Sequence, residues 1–392
     1  MISQENIPHI LKYMGGKREL LESIGMAVGE INNNIVDFCD LFAGTSIVSY
    51  AFSDTFNVVS NDIQCYSSVF SKTYFSDFSC YEEQDRIVAV ILEQASEMVH
   101  RICGLHPMPN YSYKEDIDFD TMYEMETEQM RLKDCDFNMG FSFFTQYYSG
   151  TYWSYEQCIW IDSLRAIAEK YEGTPLYYAI ISSVIFAMSY CAQSTGHFAQ
   201  FRTLTRNNYK SVLQYRLKSI SMLFEKKMRE LLSVLNHQKD HSFRSSSLDY
   251  VDCIATLNPN TLIYADPPYS AVHYSRFYHV LETLVLYDHP KLEYKGRYRG
   301  NRFQSPFDQK SQVAKAFERL FCAVKKQQCH LLLSYSNNAL LSEIQLNEIS
   351  KRCLGDNYQK TRFSRDFKHM KMGRVDEYNM DVQELLITYL KS

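Results

Sequence analysis

The feature that most constrains this chain is a β-forming run, Thr261–Tyr264, which is separated by only two residues from a pair of consecutive prolines. Proline has no backbone N–H to give to a sheet, so Pro267 and Pro268 stop the strand. The residue before a proline avoids helical backbone angles, which keeps Asp266 extended. A stiff loop is therefore predicted at the carboxyl end of a strand, where open α/β sheets bind ligands. In isolation, Asp266 to Tyr269 would more often be a surface turn, so the rest of the chain decides.

A strand–turn–helix unit nearer the start indicates a nucleotide-binding α/β sheet. Ile35–Leu41 has the pattern of a buried strand, Phe42–Ser46 that of a tight small-residue turn, and Ile47–Phe52 that of a helix. The turn is not G-x-G-x-x-G, which argues against a dinucleotide. A second strand, Asn57–Ser60, leads to Asp62, whose carboxylate is placed to accept from ribose hydroxyls. A helix N-cap is the plainer alternative for Asp62.

A glycine pair lies further upstream, within Lys12-Tyr13-Met14-Gly15-Gly16-Lys17. Paired glycines let the backbone approach a ligand closely, and the helix that follows begins with free amides. An ordinary glycine turn before a surface helix is an equally good interpretation of this segment by itself.

From residue 81 to residue 239 the alternation of strand and helix gives way to long helical patterns. We predict a discontinuous α/β domain, residues 1–80 and 240–392, that carries a largely helical insertion, residues 81–239. Within the insertion, Pro175–Ala192 has no charged residue and nearly reaches the length of a membrane span. Its tyrosines and serines favour a buried core helix, so no membrane association is expected.

The composition is that of an ordinary globular protein, with 45% apolar and 22% charged residues in 392. The net charge of −5 means that a polyanionic partner would have to meet local basic patches. Eleven scattered cysteines without a C-x-x-C pair, and an N-terminus unlike a secretion signal, favour the cytoplasm. His100, Cys103 and His106 have metal-like spacing but no evident fourth ligand, so no metal is predicted.

Two stretches suit contact with nucleic acid. One stretch lies in the insertion and combines polar groups with cations. The alternative interpretation of this stretch is a capped helix whose charged face is exposed to solvent. The other stretch, Lys291–Lys310, interleaves cations with aromatic residues that can stack on bases. The residues predicted to contact DNA are Thr195, His197, Arg202, Arg206, Arg297, Arg299 and Arg302.

Taken together, these segments resemble the Dam-type, alpha-class DNA adenine methyltransferases. That family carries K-[WY]-x-G-G-K, D-x-F-x-G-[ST], N-D and D-P-P-Y motifs. The matching segments, in the family's order, are Lys12–Lys17, Asp40–Ser46, Asn61-Asp62 and Asp266–Tyr269. Four ordered motifs are far more specific than any one of them.

The resemblance covers residues 8–75 and 240–392 and implies a doubly wound, Rossmann-like sheet that binds S-adenosylmethionine. It does not extend to the family's usual recognition hairpin, which leaves the target sequence open. The residues that it places at the cofactor are Tyr13, Gly16, Lys17, Phe42, Gly44, Thr45, Asp62, Asp249 and Asp266.

The catalytic residues implied are Asp266, Pro267, Pro268 and Tyr269. The Asp266 carboxylate and the Pro267 carbonyl would accept the two amine hydrogens of adenine and draw its nitrogen towards tetrahedral geometry. The freed lone pair then attacks the sulfonium methyl group. Because that nitrogen is unreachable inside a duplex, the adenine must flip out, and Tyr269 is placed to stack on it.

The implied function is site-specific methylation of adenine in duplex DNA, as the protective half of a bacterial restriction–modification system with a cognate restriction endonuclease. Amine methylation of RNA or of a protein glutamine is one alternative, and a catalytically inactive DNA-binding module is another. Aspartate rather than asparagine before the prolines, and the order of the motifs, favour adenine in DNA. Intact Asp266 and Tyr269 argue against an inactive module.

Overall fold

The computed structural model describes residues 7–11, 16–31, 35–105, 111–137, 140–194, 197–235, 240–268, 274–365 and 384–392. The predicted site residues Tyr13, Thr195 and Tyr269 lie outside these ranges, as does His106.

The strands of the described residues form a central sheet and a small hairpin. They are β1 (Asp37–Asp40), β2 (Asn57–Asn61), β3 (Phe243–Ser246), β4 (Leu262–Ala265), β5 (Leu292–Glu293), β6 (Tyr298–Arg299), β7 (His330–Ser336), β8 (Tyr358–Arg365) and β9 (Glu384–Lys391). The central sheet has the order β3-β2-β1-β4-β7-β9-β8, whereas β5 and β6 pair only with each other. Within the central sheet, β9 runs antiparallel to both of its neighbours, β7 and β8, and the remaining pairs are parallel.

The strand order reverses between β1 and β4, which makes that boundary the topological switch point where such sheets bind ligands. Asp40 at the end of β1 is in register with Ser60 of β2 and Tyr264 of β4. The carboxyl ends of these strands therefore meet at one edge.

Among the described residues, helices cover both faces of the sheet, and others, such as α5 (Phe119–Met130) and α9 (Tyr209–Arg216), pack away from it. The helices are α1 (Leu21–Gly29), α2 (Ile47–Ala51), α3 (Cys65–Tyr74), α4 (Gln84–Leu105), α5 (Phe119–Met130), α6 (Phe143–Tyr148), α7 (Tyr155–Glu169), α8 (Pro175–Cys191), α9 (Tyr209–Arg216), α10 (Ile220–Val234), α11 (Tyr250–Ala255), α12 (Tyr274–Phe277), α13 (His279–Leu286), α14 (Val313–Gln327) and α15 (Glu343–Leu354). The pattern from Tyr274 to Tyr287 predicts one continuous helix, but the backbone leaves helical geometry at Tyr278, which separates α12 from α13.

Alternating strand residues feed two hydrophobic clusters, one on each face. Phe38 and Tyr264 pack with α2 and α3, whereas Cys39 and Ile263 pack with α11, α14 and α15. This arrangement confirms the predicted doubly wound α/β fold.

The region predicted as an insertion is largely helical, but its core is continuous with that of the sheet. Ile161 of α7 and Val184 of α8 belong to the same buried cluster as Phe38 of β1. Its division from the α/β domain stays a prediction. The uncharged segment forms the buried helix α8, and none of the described helices is both long and apolar enough to span a membrane.

Candidate active site

A cleft with an empty volume of about 900 Å³, including its mouth, lies at the carboxyl ends of β1, β2 and β4. This is within the size range of pockets that hold small molecules and cofactors. Predicted site residues that line it are Phe42, Gly44, Asp62, Asp249, Asp266, Pro267 and Pro268. Gly16, Lys17 and Thr45 are described but are not part of this lining.

The turn after β1 is fixed by hydrogen bonds to both neighbouring strands. The backbone N–H of Leu41 donates to the carbonyl of Tyr264, and that of Ala43 donates to the carbonyl of Asn61, each at 2.9 Å. Gly44 follows with φ = 52°, a left-handed conformation that glycine adopts without steric cost. Its N–H is thereby turned towards Asp62 and donates to Oδ2 at 2.9 Å.

Asp62 bridges two backbone segments at the edge of the cleft. Besides the bond from Gly44, its Oδ1 accepts from the Gln64 N–H at 2.9 Å. Burial raises the pKa of Asp62 to about 6, although both backbone bonds lower it; the nearby Glu282 charge raises it further. A carboxylate has about four acceptor positions, so Asp62 retains capacity for hydroxyl donors. Asp62 therefore lines the cleft and also binds two backbone amides, but it is not the helix N-cap that the sequence offered as the alternative, because the N-cap of α3 is Gln64.

Asp40, at the end of β1, is buried behind the turn. Its Oδ2 accepts from the Ser49 N–H at 3.0 Å and from the Ser49 hydroxyl at 2.7 Å, which holds α2 against the strand. Burial raises the pKa of Asp40 to about 7 despite these bonds, and the charges of Asp266 and Asp62 add to the rise. The edge of the sheet is thus rich in carboxylates whose charge is costly.

Asp266 is the carboxylate of the proline loop, and it forms an ion pair with Lys17. The Lys17 Nζ lies 3.0 Å from Asp266 Oδ2, and the lysine side chain is 7% exposed against 18% for the aspartate. The structure therefore brings the upstream glycine segment to the proline loop. Lys17 thus reaches the site through its ion pair with Asp266, and its predicted contact with the cofactor stays a prediction.

One wall of the cleft is aromatic, which the pattern of the sequence does not predict. The Phe42 ring centroid lies 5.5 Å from that of Phe307 and 5.9 Å from that of Tyr250. Phe303 and Tyr274 add further aromatic surface to the lining. The only local signal is Ser305-Pro306, which starts a short 3₁₀ helix and so presents Phe307 inward.

Asp249 lies at the same wall and serves as an N-cap. Its Oδ1 accepts from the Val251 N–H at 3.0 Å, and Nη2 of Arg319 lies 3.6 Å from the same oxygen. Among the described residues, no group of three or more His, Cys, Asp or Glu side chains is placed to hold a metal ion.

The two stretches predicted to contact DNA meet in space. Lys295, in the turn between β5 and β6, donates from Nζ to the Thr203 hydroxyl at 2.6 Å. The Tyr298 hydroxyl donates to the carbonyl of Ala199. Residues about 100 positions apart therefore form one surface.

The predicted DNA-contacting residues differ in accessibility. The Arg202 guanidinium donates to Ser211 at 3.0 Å, and exposed Arg206 pairs with Asp120 at 2.6 Å. Arg297 is half-buried with φ = 55°. The partly exposed Arg302 guanidinium lies 5.3 Å from the centroid of the Tyr298 ring.

Arg299 requires a correction. It is only 4% exposed, and both of its terminal nitrogens lie 2.7 Å from the Asp288 carboxylate. A phosphate would have to displace this bidentate partner, so the placement argues against the predicted DNA contact. Arg299 instead ties the hairpin to the segment after α13.

A doubly wound sheet with this strand order and a cleft at its switch point defines a Rossmann-like methyltransferase fold. The chain matches the model of the D12 class N6 adenine-specific DNA methyltransferases over residues 13–135 and 177–331 and belongs to this family. The Dam-type resemblance of the sequence is thereby confirmed. Membership implies S-adenosylmethionine as the usual methyl donor and DNA as the usual substrate.

Curated relatives are modification enzymes of low sequence identity. Modification methylase LlaI of Lactococcus lactis subsp. lactis is 24% identical over 87% of this chain and 49% of its own length. Type II methyltransferase M.FokI of Planomicrobium okeanokoites is 23% identical over 87% of this chain and 47% of its own length. Type II methyltransferase M.NlaIII of Neisseria lactamica is 24% identical over 87% of this chain and 88% of its own length. The chain thus spans about half the length of the first two relatives and most of the third.

Proposed function

We propose that this protein transfers a methyl group from S-adenosylmethionine to the exocyclic amine of adenine in duplex DNA. The observation that carries the proposal is that the Asp266 carboxylate shares one cleft with Gly44 and Asp62. An acceptor for an amine thus lies beside a site suited to a nucleoside. The names of the relatives support a role in restriction–modification. A cognate restriction endonuclease is proposed as the partner.

The residues of the cleft fit S-adenosylmethionine. Asp62 would accept from the ribose hydroxyls, and Phe42 with Phe307 would cover an apolar ring face. Asp249 is placed at the same wall and would accept from an exocyclic amine of the cofactor. When bound, the cofactor would supply an electrophilic methyl group on a sulfonium, which leaves as a neutral thioether.

The chain's contribution to the chemistry is mainly positioning. Lys17 holds Oδ2 of Asp266 at 3.0 Å, so the carboxylate is oriented before the substrate enters. Asp266 and the Pro267 carbonyl would accept the amine hydrogens of adenine and favour a tetrahedral nitrogen. Because Pro267 is buried and followed by Pro268, these acceptors sit on a backbone with little freedom. Such preorganised acceptors are a major source of rate enhancement.

The adenine has to leave the DNA stack to reach Asp266, at a cost of a few kcal/mol. Tyr269, next to the prolines, is proposed to stack on the extruded base. The surface made by the 197–206 stretch and the β5–β6 hairpin is proposed to hold the duplex, with Lys295, Arg297 and Arg302 towards phosphates.

The test is transfer of a labelled methyl group to duplex DNA, RNA and a glutamine-containing protein. Asp266→Asn keeps the volume of the side chain but removes its charge, and Asp266→Ala removes both. Both variants should lose transfer, while cofactor affinity stays within about tenfold, roughly 1.4 kcal/mol. Asp118→Ala, which removes an exposed helix cap, is the matched control and should keep transfer.

Each alternative function has its own outcome. Near wild-type transfer in Asp266→Ala would refute the catalytic assignment. DNA binding by the wild type without transfer would indicate an inactive module. Label on RNA or protein but not on DNA would move the substrate to another class.

A further inference from the structure

A loop of residues 197–202, here named the 197–202 loop, lies directly beside the active-site cleft. The Phe198 N–H donates to the carbonyl of Phe277 at 2.8 Å, and the His197 ring centroid lies 4.3 Å from that of Phe277. Phe277 ends α12, whose Tyr274 and Ser275 line the cleft. The loop therefore packs on the helix that contributes to one wall of the cleft.

Buried side chains hold the backbone of this loop from inside. The Tyr152 hydroxyl donates to the Phe198 carbonyl at 2.6 Å, and His279 Nε2 lies 2.9 Å from the same oxygen. The buried Tyr298 donates to the Ala199 carbonyl. Surface loops commonly leave their carbonyls to water, so these bonds from the core indicate a loop whose conformation is fixed before binding.

The far end of the loop is fixed in the same way. Gln193, which is 1% exposed, donates from Nε2 to the Arg202 carbonyl at 3.0 Å and accepts at Oε1 from the Arg202 N–H at 3.2 Å. Between these anchors, the side chain of Gln200 is exposed. A rigid backbone therefore presents one carboxamide to solvent.

The surroundings of Gln200 suit a polyanion with base edges. Lys295 docks on Thr203, and the exposed Arg276 donates from Nε to the Tyr298 hydroxyl at 3.1 Å. Cations of this kind fix the register on phosphates but carry no sequence information. A glutamine carboxamide offers a donor and an acceptor together, the pair that matches an adenine edge in the major groove.

We propose that the 197–202 loop is the base-reading element of the protein and that Gln200 contacts a base next to the target adenine. The inference rests on the proposed function and deepens it. His197, which the sequence predicts to contact DNA, packs on Phe277, and its Nδ1 accepts from the Ala199 N–H at 3.2 Å, so the proposal assigns the base contact to Gln200 instead.

Tyr152 is the positioning residue of this surface. Its hydroxyl lies 2.6 Å from the Phe198 carbonyl and 3.1 Å from the Gly296 carbonyl, so one group joins the loop to the β5–β6 turn. Tyr152→Phe removes that junction and keeps the ring. Its effect should appear in sequence discrimination.

The experiment is sequencing of methylated adenines in DNA from cells that express the wild-type protein, Gln200→Ala or Tyr152→Phe. Gln200→Ala should lose roughly ten- to hundredfold discrimination at one position of the recognition sequence, with a smaller change in rate at the cognate site. Gln359→Ala is the matched control, an exposed glutamine on the outermost strand β8, and should leave the sequence unchanged.

The outcomes separate this inference from the proposed function. If the wild type methylates adenine and Gln200→Ala keeps the same preference at each position, the inference is overturned and the proposed function stands. If the wild type methylates no adenine, both fall. Tyr152→Phe with unchanged unfolding temperature should relax discrimination in the same region of the site. An unchanged sequence preference would overturn its positioning role.

Discussion

Replacing Asp62 by asparagine tests whether its carboxylate binds the cofactor ribose. Its pKa is raised to about 6, chiefly because burial disfavours the charge. The charged form, which is the one proposed to accept hydrogen bonds from both ribose hydroxyls, therefore predominates only above about pH 6. Affinity for S-adenosylmethionine should fall as the pH drops through this value and level off above it.

The magnitude follows from one-proton linkage. With a pKa of about 6, the charged fraction makes affinity at about pH 5 roughly tenfold lower than at about pH 7.5, or about 1.4 kcal/mol. Asp62→Asn keeps one acceptor oxygen and loses charge-assisted bonds worth about 1.5–3 kcal/mol. At about pH 7.5 the variant should therefore bind roughly ten- to a hundredfold more weakly, without the step near pH 6.

Calorimetric titration of both proteins across this pH range isolates the contribution of Asp62. Other charged groups of the cleft and its edge, among them Glu282, Asp40, Asp249, Asp308 and Asp266 with its partner Lys17, remain in both proteins. Circular dichroism at each pH checks that the fold persists. Equal pH dependence in wild type and variant, or a flat wild-type profile, would refute the role of Asp62.

Three further predictions concern the rest of the site. Lys17→Met should lower kcat more than it raises KM for the cofactor, because Lys17 orients Asp266, and Lys17→Arg should recover part of kcat; equal losses in both parameters would contradict this role. Tyr269→Phe should stay within a few-fold of wild-type transfer and Tyr269→Ala should lose ten- to a hundredfold, since stacking contributes about 1–3 kcal/mol; equal activities would exclude stacking. Arg299→Ala should lower the unfolding temperature, whereas Lys295→Ala should reduce the salt dependence of DNA binding by about 0.9 in logarithmic slope. The two assignments would be contradicted if Arg299→Ala changed only the salt dependence of DNA binding and Lys295→Ala lowered only the unfolding temperature.

The parts of the site that were predictable from the sequence are those fixed by local backbone chemistry. Prolines after a β-forming run place Asp266 at the end of β4, which spans Leu262–Ala265 against the predicted Thr261–Tyr264. The small-residue turn after β1 requires a left-handed residue, and Gly44 supplies it. Strand β2 ends at Asn61, one residue beyond the prediction. Each of these features depends on neighbours in the chain.

The parts that escaped prediction depend on contacts between distant segments. The bond between Lys17 and Asp266 requires the chain to return after the whole helical region. Likewise, Arg299 and Arg302 look alike in the sequence, but only Arg299 meets Asp288 and is buried. Local pattern does not distinguish a cation that binds a phosphate from one that serves the fold. For Arg299, burial and the bidentate contact with Asp288 make that distinction.

The neighbouring residues Asn61 and Asp62 show how the fold and the site share one short motif. Asn61 donates from Nδ2 to the carbonyls of Leu41 at 3.2 Å and Leu248 at 3.1 Å, and its Oδ1 accepts from the Ser246 hydroxyl at 2.8 Å. A carboxylate could not make both donations, so an amide is needed where β1, β2 and the segment after β3 meet. Asn61 thereby holds the turn after β1, which begins at Leu41, at a fixed distance from Leu248 and Asp249 in the lining of the cleft. Asparagine thus fixes the frame on which Asp62 presents its charge, and catalysis by positioning depends on such a frame.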